Sequence, residues 1–187
     1  AHPLRGTCCL AAFLFPGVPV GRYRRPPAGA ANSGTPQGTI IMAGLRKSFF
    51  IKAKDFVHAG EASIHVQSLL KSTHFDPRII RRVAVCSYEG EMNVVMHAED
   101  GHLSVDIGPD QLVLEVTDSG PGIADVERAM QPGFSTASDE LHEMGFGAGM
   151  GLPNMQKNAD EIFIDSKIGQ GTRVRMTFHI QEEGKNT

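Results

Sequence analysis

The stretch Leu103-Ser-Val105-Asp-Ile107-Gly108-Pro109-Asp110-Gln-Leu112-Val-Leu114-Glu-Val116-Thr-Asp118-Ser-Gly120 decides the fold class. Apolar side chains stand at every second position on both sides of Gly108-Pro109-Asp110. A period of two marks a half-buried strand, and glycine, proline and aspartate turn a chain back on itself. The stretch therefore reads as a β-hairpin with one face on a core. Its second strand runs directly into Asp118-Ser-Gly120-Pro-Gly122, which sets a carboxylate at the sheet edge beneath a glycine turn.

Upstream, Phe49, Ile51 and Ala53 alternate against Ser48, Lys52 and Lys54, a first strand starting at Ser48. A helix is expected over about 60–73, with Ile64, Leu69 and Leu70 as a partial apolar face. Asp76-Pro77 pairs an N-cap carboxylate with proline at the first helical position. The helix it opens reaches about Ala98, with Ile79, Ile80, Val83, Ala84, Val94 and Val95 as core candidates. Gly90 inside it costs about 1 kcal/mol relative to alanine, so it marks either a close approach or a tolerated defect. Downstream come a short helix at about 124–130 and an aperiodic, glycine-bearing region over 131–150. A loop that long inside a compact domain is usually functional or mobile. A short helix around Pro153 ends near Asn158. Ile162–Asp165, a turn at Gly169-Gln170-Gly171, and a strand alternating through Val174, Met176, Phe178 and Ile180 close the pattern. This order predicts an α+β fold, a two-layer sandwich of a mixed, largely antiparallel sheet with helices on one face.

Residues 1–41 differ: Pro and Gly recur, Arg22, Arg24 and Arg25 cluster, and no period holds. Such a composition buries too little apolar surface to offset chain entropy. The expected division is a disordered tail over 1–44, one domain over 45–181 and a short tail over 182–187. Met42-Ala-Gly44 reads as a natural start, which would make the tail an upstream extension of the reading frame. The apolar run from Cys8 to Phe15 is broken by Pro16, Gly17 and Pro19 and is not read as a secretory leader. Across the 187 residues, 41% are hydrophobic and 21% charged, ordinary values for a globular protein. A net charge of -3 gives no case for nucleic acid or an anionic membrane surface. Three cysteines without metal-ligand spacing suit a reducing compartment, so a cytoplasmic location is expected.

Glu89, Asn93 and His97 are spaced i, i+4, i+8, which places a carboxylate, an amide and an imidazole in one row on the helix ending near Ala98. On its own the row is as readily a solvated face as a site. Asp118 accepts hydrogen bonds without donating, which suits an exocyclic amine, although an isolated Asp-x-Gly more often caps a turn. Gly145-Phe-Gly147-Ala-Gly149-Met-Gly151-Leu152 precedes a helix start, where successive peptide N–H groups can cradle phosphate oxygens. It is neither a Walker A loop nor a Rossmann fingerprint.

Taken together these motifs resemble the Bergerat-fold ATPase superfamily of gyrase, histidine kinases and anti-sigma-factor kinases. Glu89-x-x-x-Asn93-x-x-x-His97-Ala98 resembles its N box in the anti-sigma form. Asp118-x-Gly120-x-Gly122 resembles the next box, and Pro132-Gly-Phe134-Ser135-Thr136 the start of the lid. Gly147-x-Gly149-x-Gly151-Leu152 resembles the second glycine box and Gly171-Thr172 the last. The likeness spans about Leu45 to Ile180, and five elements in the right order are far more specific than any one. It implies that Asn93 holds Mg2+ bridging the phosphates of ATP, that Glu89 is the general base, and that Asp118 and Thr172 read adenine. The loop glycines would hold the phosphates, and His97 would pack or cap rather than react. One departure stands out: no Lys or Arg occurs between Arg128 and Lys157, so the lid offers no cation to the γ-phosphate. The resemblance implies a kinase that phosphorylates Ser or Thr on a small regulatory protein, an anti-anti-sigma or sigma factor, with a homodimer as a further expectation. Two alternatives are a histidine-kinase catalytic domain acting in trans and a nucleotide-gated binding module with little turnover. None of the eight His begins a convincing phospho-acceptor box, which counts against the first.

Overall fold

Apolar cross-strand pairs tie the sheet together in the computed structural model, which describes residues 21–24 and 44–180. In chain order the elements are β1 Gly21–Arg24, β2 Leu45–Ile51, α1 Glu61–Ser72, α2 Pro77–His97, β3 Gly101–Ile107 and β4 Gln111–Asp118. There follow α3 Val126–Ala129, α4 Asp139–Glu143, α5 Gly151–Asn158, β5 Glu161–Lys167 and β6 Gly171–His179. The strands lie in the order β1-β5-β6-β4-β3-β2. Every pairing among the described residues is antiparallel, so no mixed pair occurs.

The expected hairpin is β3–β4, with Leu103 opposite Val116, Val105 opposite Leu114 and Ile107 opposite Leu112. Val116, Leu114 and Leu112 in turn face Val174, Met176 and Phe178 of β6, and Ile164 and Ile162 of β5 continue the rows. All of these side chains are buried, so one face of the sheet is a continuous apolar floor. The helices α1, α2 and α5 bury Val66, Leu70, Val83, Val94 and Met155 into the same core. Burial of such side chains stabilises a fold by roughly 1.5–3 kcal/mol each. Gly90 is a site of close approach: a Cβ there would stand 2.6 Å from Val116 Cγ2. The missing side chain is what lets α2 lie against β4.

The helix expected from Asp76-Pro77 is α2, and Asp76 accepts a hydrogen bond from the Arg78 N–H at 2.6 Å. Four expectations are corrected. The first strand begins at Leu45 rather than Ser48, because its pairing with Ile107 extends the ladder through the charged Arg46 and Lys47. Ile64, expected on the apolar face of α1, is 61% exposed. The buried row is Ala62, Val66 and Leu70, set by Glu91 of α2, which is 2% exposed and accepts from the Gly60, Ala62 and Ser63 N–H groups at 2.8–3.1 Å. A carboxylate at a helix N-terminus satisfies otherwise orphan donors, and here it also fixes which face of α1 turns inward. The aperiodic 131–150 region contains one short helix, α4, because Leu141 finds an apolar seat on Met92 and Met96. Finally, the segment expected as a tail contributes Gly21–Arg24, paired with Phe163–Ser166 of β5. The Cys8–Phe15 run, the Met42 start and the tail over 182–187 lie outside the described residues.

Candidate functional site

A cleft of about 850 Å³ lies between α2, the turn after β4 and the 131–150 segment. Its floor is the polar row of α2. Glu89, Asn93 and His97 all line it, as their helical spacing requires. Glu89 Oε1 accepts a hydrogen bond from Asn154 Nδ2 at 2.6 Å. The Asn93 side chain makes no hydrogen bond to another described residue, so its amide is available to a ligand. Helix α5 starts at Gly151 with no side-chain cap, directly over this pair. A Cβ on Gly151 would sit 3.1 Å from Asn93 Oδ1 and 3.5 Å from Glu89 Oε2. Glycine there leaves open the space between a helix N-terminus, which attracts anions, and the two polar heads.

The far end of the cleft is built by the sheet. Asp118 closes β4, and its Oδ1 accepts from the Gly120 N–H at 2.8 Å. Burial pushes the Asp118 carboxyl above the usual range, opposed by backbone hydrogen bonds from Gly120 and Thr172. The Thr172 hydroxyl is 2.9 Å from Ser166 Oγ, which also accepts from the Ile123 N–H at 2.8 Å. Ser166 is buried and joins the glycine turn to β5 and β6.

The third wall is the lid, 131–150. Its root is closed by a hydrogen bond from the Gly133 N–H to the Gly149 carbonyl at 3.0 Å. Gly149 has φ +69° and a Cβ there would meet the Gly133 and Phe134 backbone within 2.7 Å, so only glycine fits. Leu141 rests on Met92 and Met96, Phe146 stacks on Phe56 at 5.9 Å, and His142 Nε2 lies 2.9 Å from the Gly147 carbonyl oxygen.

The cleft brings together Glu89, Asn93, Asp118, Gly122, Ser135, Thr136, Gly147, Gly149, Gly151, Leu152 and Thr172. Gly120 does not line it. Its N–H orients Asp118 instead, and its Cα packs near Ala98. Four participants were not singled out from sequence. Asn154 orients Glu89, Ser166 supports Thr172, and Lys54 and Arg128 border the cleft. Ser166 left a trace, since it is a polar residue at the inward register of Ile162 and Ile164. The others left none, because their neighbours come from distant segments. His97 sits on the wall beside Lys54, and burial, reinforced by that cation, holds its pKa below the usual value. The Cys86 thiol is buried behind α5 and pushed up to about 12, so it is no nucleophile.

The family described as histidine kinase-, DNA gyrase B-, and HSP90-like ATPase matches residues 88–182, which contain the floor, the glycine turn and the lid. The chain belongs to this family. Its relatives within the family agree with the resemblance to anti-sigma-factor kinases. The anti-sigma F factor of Caldanaerobacter subterraneus subsp. tengcongensis is 36% identical over 116 residues, covering 58% of this chain and 78% of that protein. The serine/threonine-protein kinase RsbT of Bacillus subtilis is 31% identical over 98 residues, 50% of this chain and 68% of the relative. The anti-sigma F factor of Pasteuria penetrans is 38% identical over 100 residues, 50% of this chain and 63% of its own length. No helix among the described residues is long and apolar enough to cross a membrane.

Proposed function

We propose that this protein binds Mg-ATP in the cleft and transfers the γ-phosphate to a serine or threonine of a small regulatory protein, as a cytoplasmic kinase of the anti-sigma type. The observation that carries the reading is the meeting of the Glu89 carboxylate and the free Asn93 amide beneath the start of α5, with Asp118 at the other end of one cleft. The donor set fits the ion: Mg2+ favours few protein oxygens plus phosphate and water, and Asn93 presents one unengaged amide oxygen on the cleft floor. When bound, the ion neutralises charge on the β- and γ-phosphates.

Each group of the chain then has a task. Asp118 accepts from the adenine amine, held in place by the Gly120 N–H and backed by Thr172. The N–H groups of the lid glycines and of the first turn of α5 face phosphate oxygens. Glu89, oriented by Asn154, takes the proton of the acceptor hydroxyl as its oxygen attacks the γ-phosphorus and ADP leaves. The relatives named anti-sigma F factor and RsbT support a partner among anti-anti-sigma or sigma factors.

The test is incubation with γ-labelled ATP, Mg2+ and purified candidate partners. Acid-stable label on the partner is the expected result. Acid-labile label would assign a histidine acceptor instead. Binding of ATP without label would favour a nucleotide-gated module, a reading supported by the lid's lack of Lys and Arg.

A further inference from the structure

The segment 129–156, which contains the lid, carries no Lys or Arg, yet the lid does carry Asp139, Glu140 and Glu143. It therefore adds negative charge beside a cleft that has to hold a triphosphate. Apart from a bound metal ion, compensation falls to other parts of the chain. Two side chains with fixed positive charge line the cleft, Lys54 and Arg128. The Arg128 guanidinium lies 4.6 Å from the centre of the Phe134 ring, at the root of the lid. Lys54 comes from the loop after β2 and is delivered to the far side of the floor.

Two backbone hydrogen bonds and one from the side chain hold Lys54 there. The Ala53 N–H donates to Asp100 Oδ1 at 3.0 Å, and the Lys54 N–H donates to the Val95 carbonyl at 3.0 Å. Its φ is 59°, a left-handed conformation that costs a residue with a Cβ roughly 1–2 kcal/mol. The ammonium donates to the Met96 carbonyl in the last turn of α2. That carbonyl lacks a helical partner, so a cation beside it is replaceable by water at little cost. Lys54, Met96 and Asn93 all line the same cleft. A lysine ammonium is a point charge on a flexible four-carbon stem, able to exchange one oxygen partner for another. Burial lowers the pKa of the neighbouring His97, so its imidazole is a weaker source of positive charge than Lys54.

We propose that Lys54 is a phosphate-binding cation of this cleft, resting on the Met96 carbonyl when no nucleotide is present and moving to the terminal phosphate of a nucleoside triphosphate whose metal Asn93 holds. The inference rests on the Mg-ATP reading above. It supplies the charge that the lid lacks.

The experiment is calorimetric titration of AMP, ADP and ATP with Mg2+ into the wild type, Lys54→Gln and Lys54→Arg. Glutamine keeps an N–H donor on a side chain one bond shorter and removes the charge. Lys54→Gln is expected to lose about tenfold or more in ATP affinity with AMP affinity unchanged, and Lys54→Arg to retain most of it. Unchanged affinities in Lys54→Gln, or an equal loss for AMP and ATP, would mean that Lys54 only caps α2 and would overturn the inference while leaving the Mg-ATP reading intact. A wild type that binds no ATP would sink both. Amine labelling of the wild type, read by mass spectrometry, gives a check that needs no variant. Protection of Lys54 by ATP and not by AMP is expected, and equal labelling overturns the proposal.

Discussion

The two ends of the cleft are held by different forces. The Asp118 end is an extension of the sheet: its turn is tied by backbone and hydroxyl bonds to β5 and β6, and Val116 behind it packs on α2. The lid is joined to the rest by one buried leucine, a stacked phenylalanine pair, the Arg128 guanidinium over the Phe134 ring and a few backbone bonds. Regions with few buried apolar contacts open at a free energy well below that of the whole domain. The Asp118 end is therefore the more firmly built of the two, and the lid is the part of the cleft that opens at least cost. The floor between them divides in the same way within one helix. Glu91 points back and locks α1, while Glu89, two residues away, faces the cleft.

The largest expected effect tests that division. Glu89→Ala should lower phosphoryl transfer by about 10²–10⁴-fold and leave ATP affinity close to that of the wild type, measured by single-turnover assay and calorimetry. Glu91→Ala should act on the fold instead. Three buried N–H groups lose their acceptor, at about 3 kcal/mol or more, so urea unfolding should show a large loss of stability. Equal destabilisation by the two variants would show that the helix does not separate a supporting carboxylate from a reacting one.

Leu141→Ala probes the lid alone. Removing its contact with Met92 and Met96 should cost about 2 kcal/mol, felt as faster proteolysis within 131–150 while the urea midpoint of the domain moves little. A matching shift of the midpoint would mean that the lid folds with the sheet as one unit. Asp118→Asn addresses the opposite end. It should weaken ATP by about tenfold, the loss of one charge-assisted acceptor, and calorimetry with unchanged affinity would remove the adenine role.

The smallest effect is one of pH. Burial raises the folded-state pKa of Asp118 above the ordinary aspartate value. As pH climbs past the unfolded value, the unfolded chain releases its proton first, so stability falls until the raised pKa is reached. Asp118→Asn has no such proton, so the ligand-free variant should be at least as stable as the wild type at pH 7 and less stable relative to it at pH 3. Thermal unfolding at the two pH values reads this difference.

Much of the architecture was legible because one-sided burial imposes a period. The alternation of Leu103 to Val116 and of Val174 to Phe178 appears as adjacent antiparallel strands, and Asp76-Pro77 opens α2. Ile64 was misplaced because a weakly periodic helix is oriented by its neighbour, and Glu91 lies 28 residues from Ser63. The helix within the lid was missed for the same reason, since five residues have no helical stability of their own and Leu141 is held by α2.

The sequence by itself determined the order of strands and helices, the polar row on α2 and the glycine turns, because these depend on patterns within a few residues. Only the tertiary structure decided that Gly151 stands over Glu89 and Asn93, that Asn154 orients the carboxylate, and that Lys54 reaches the floor from a loop some forty residues earlier. Those meetings come from long-range packing. Local propensity holds no record of them.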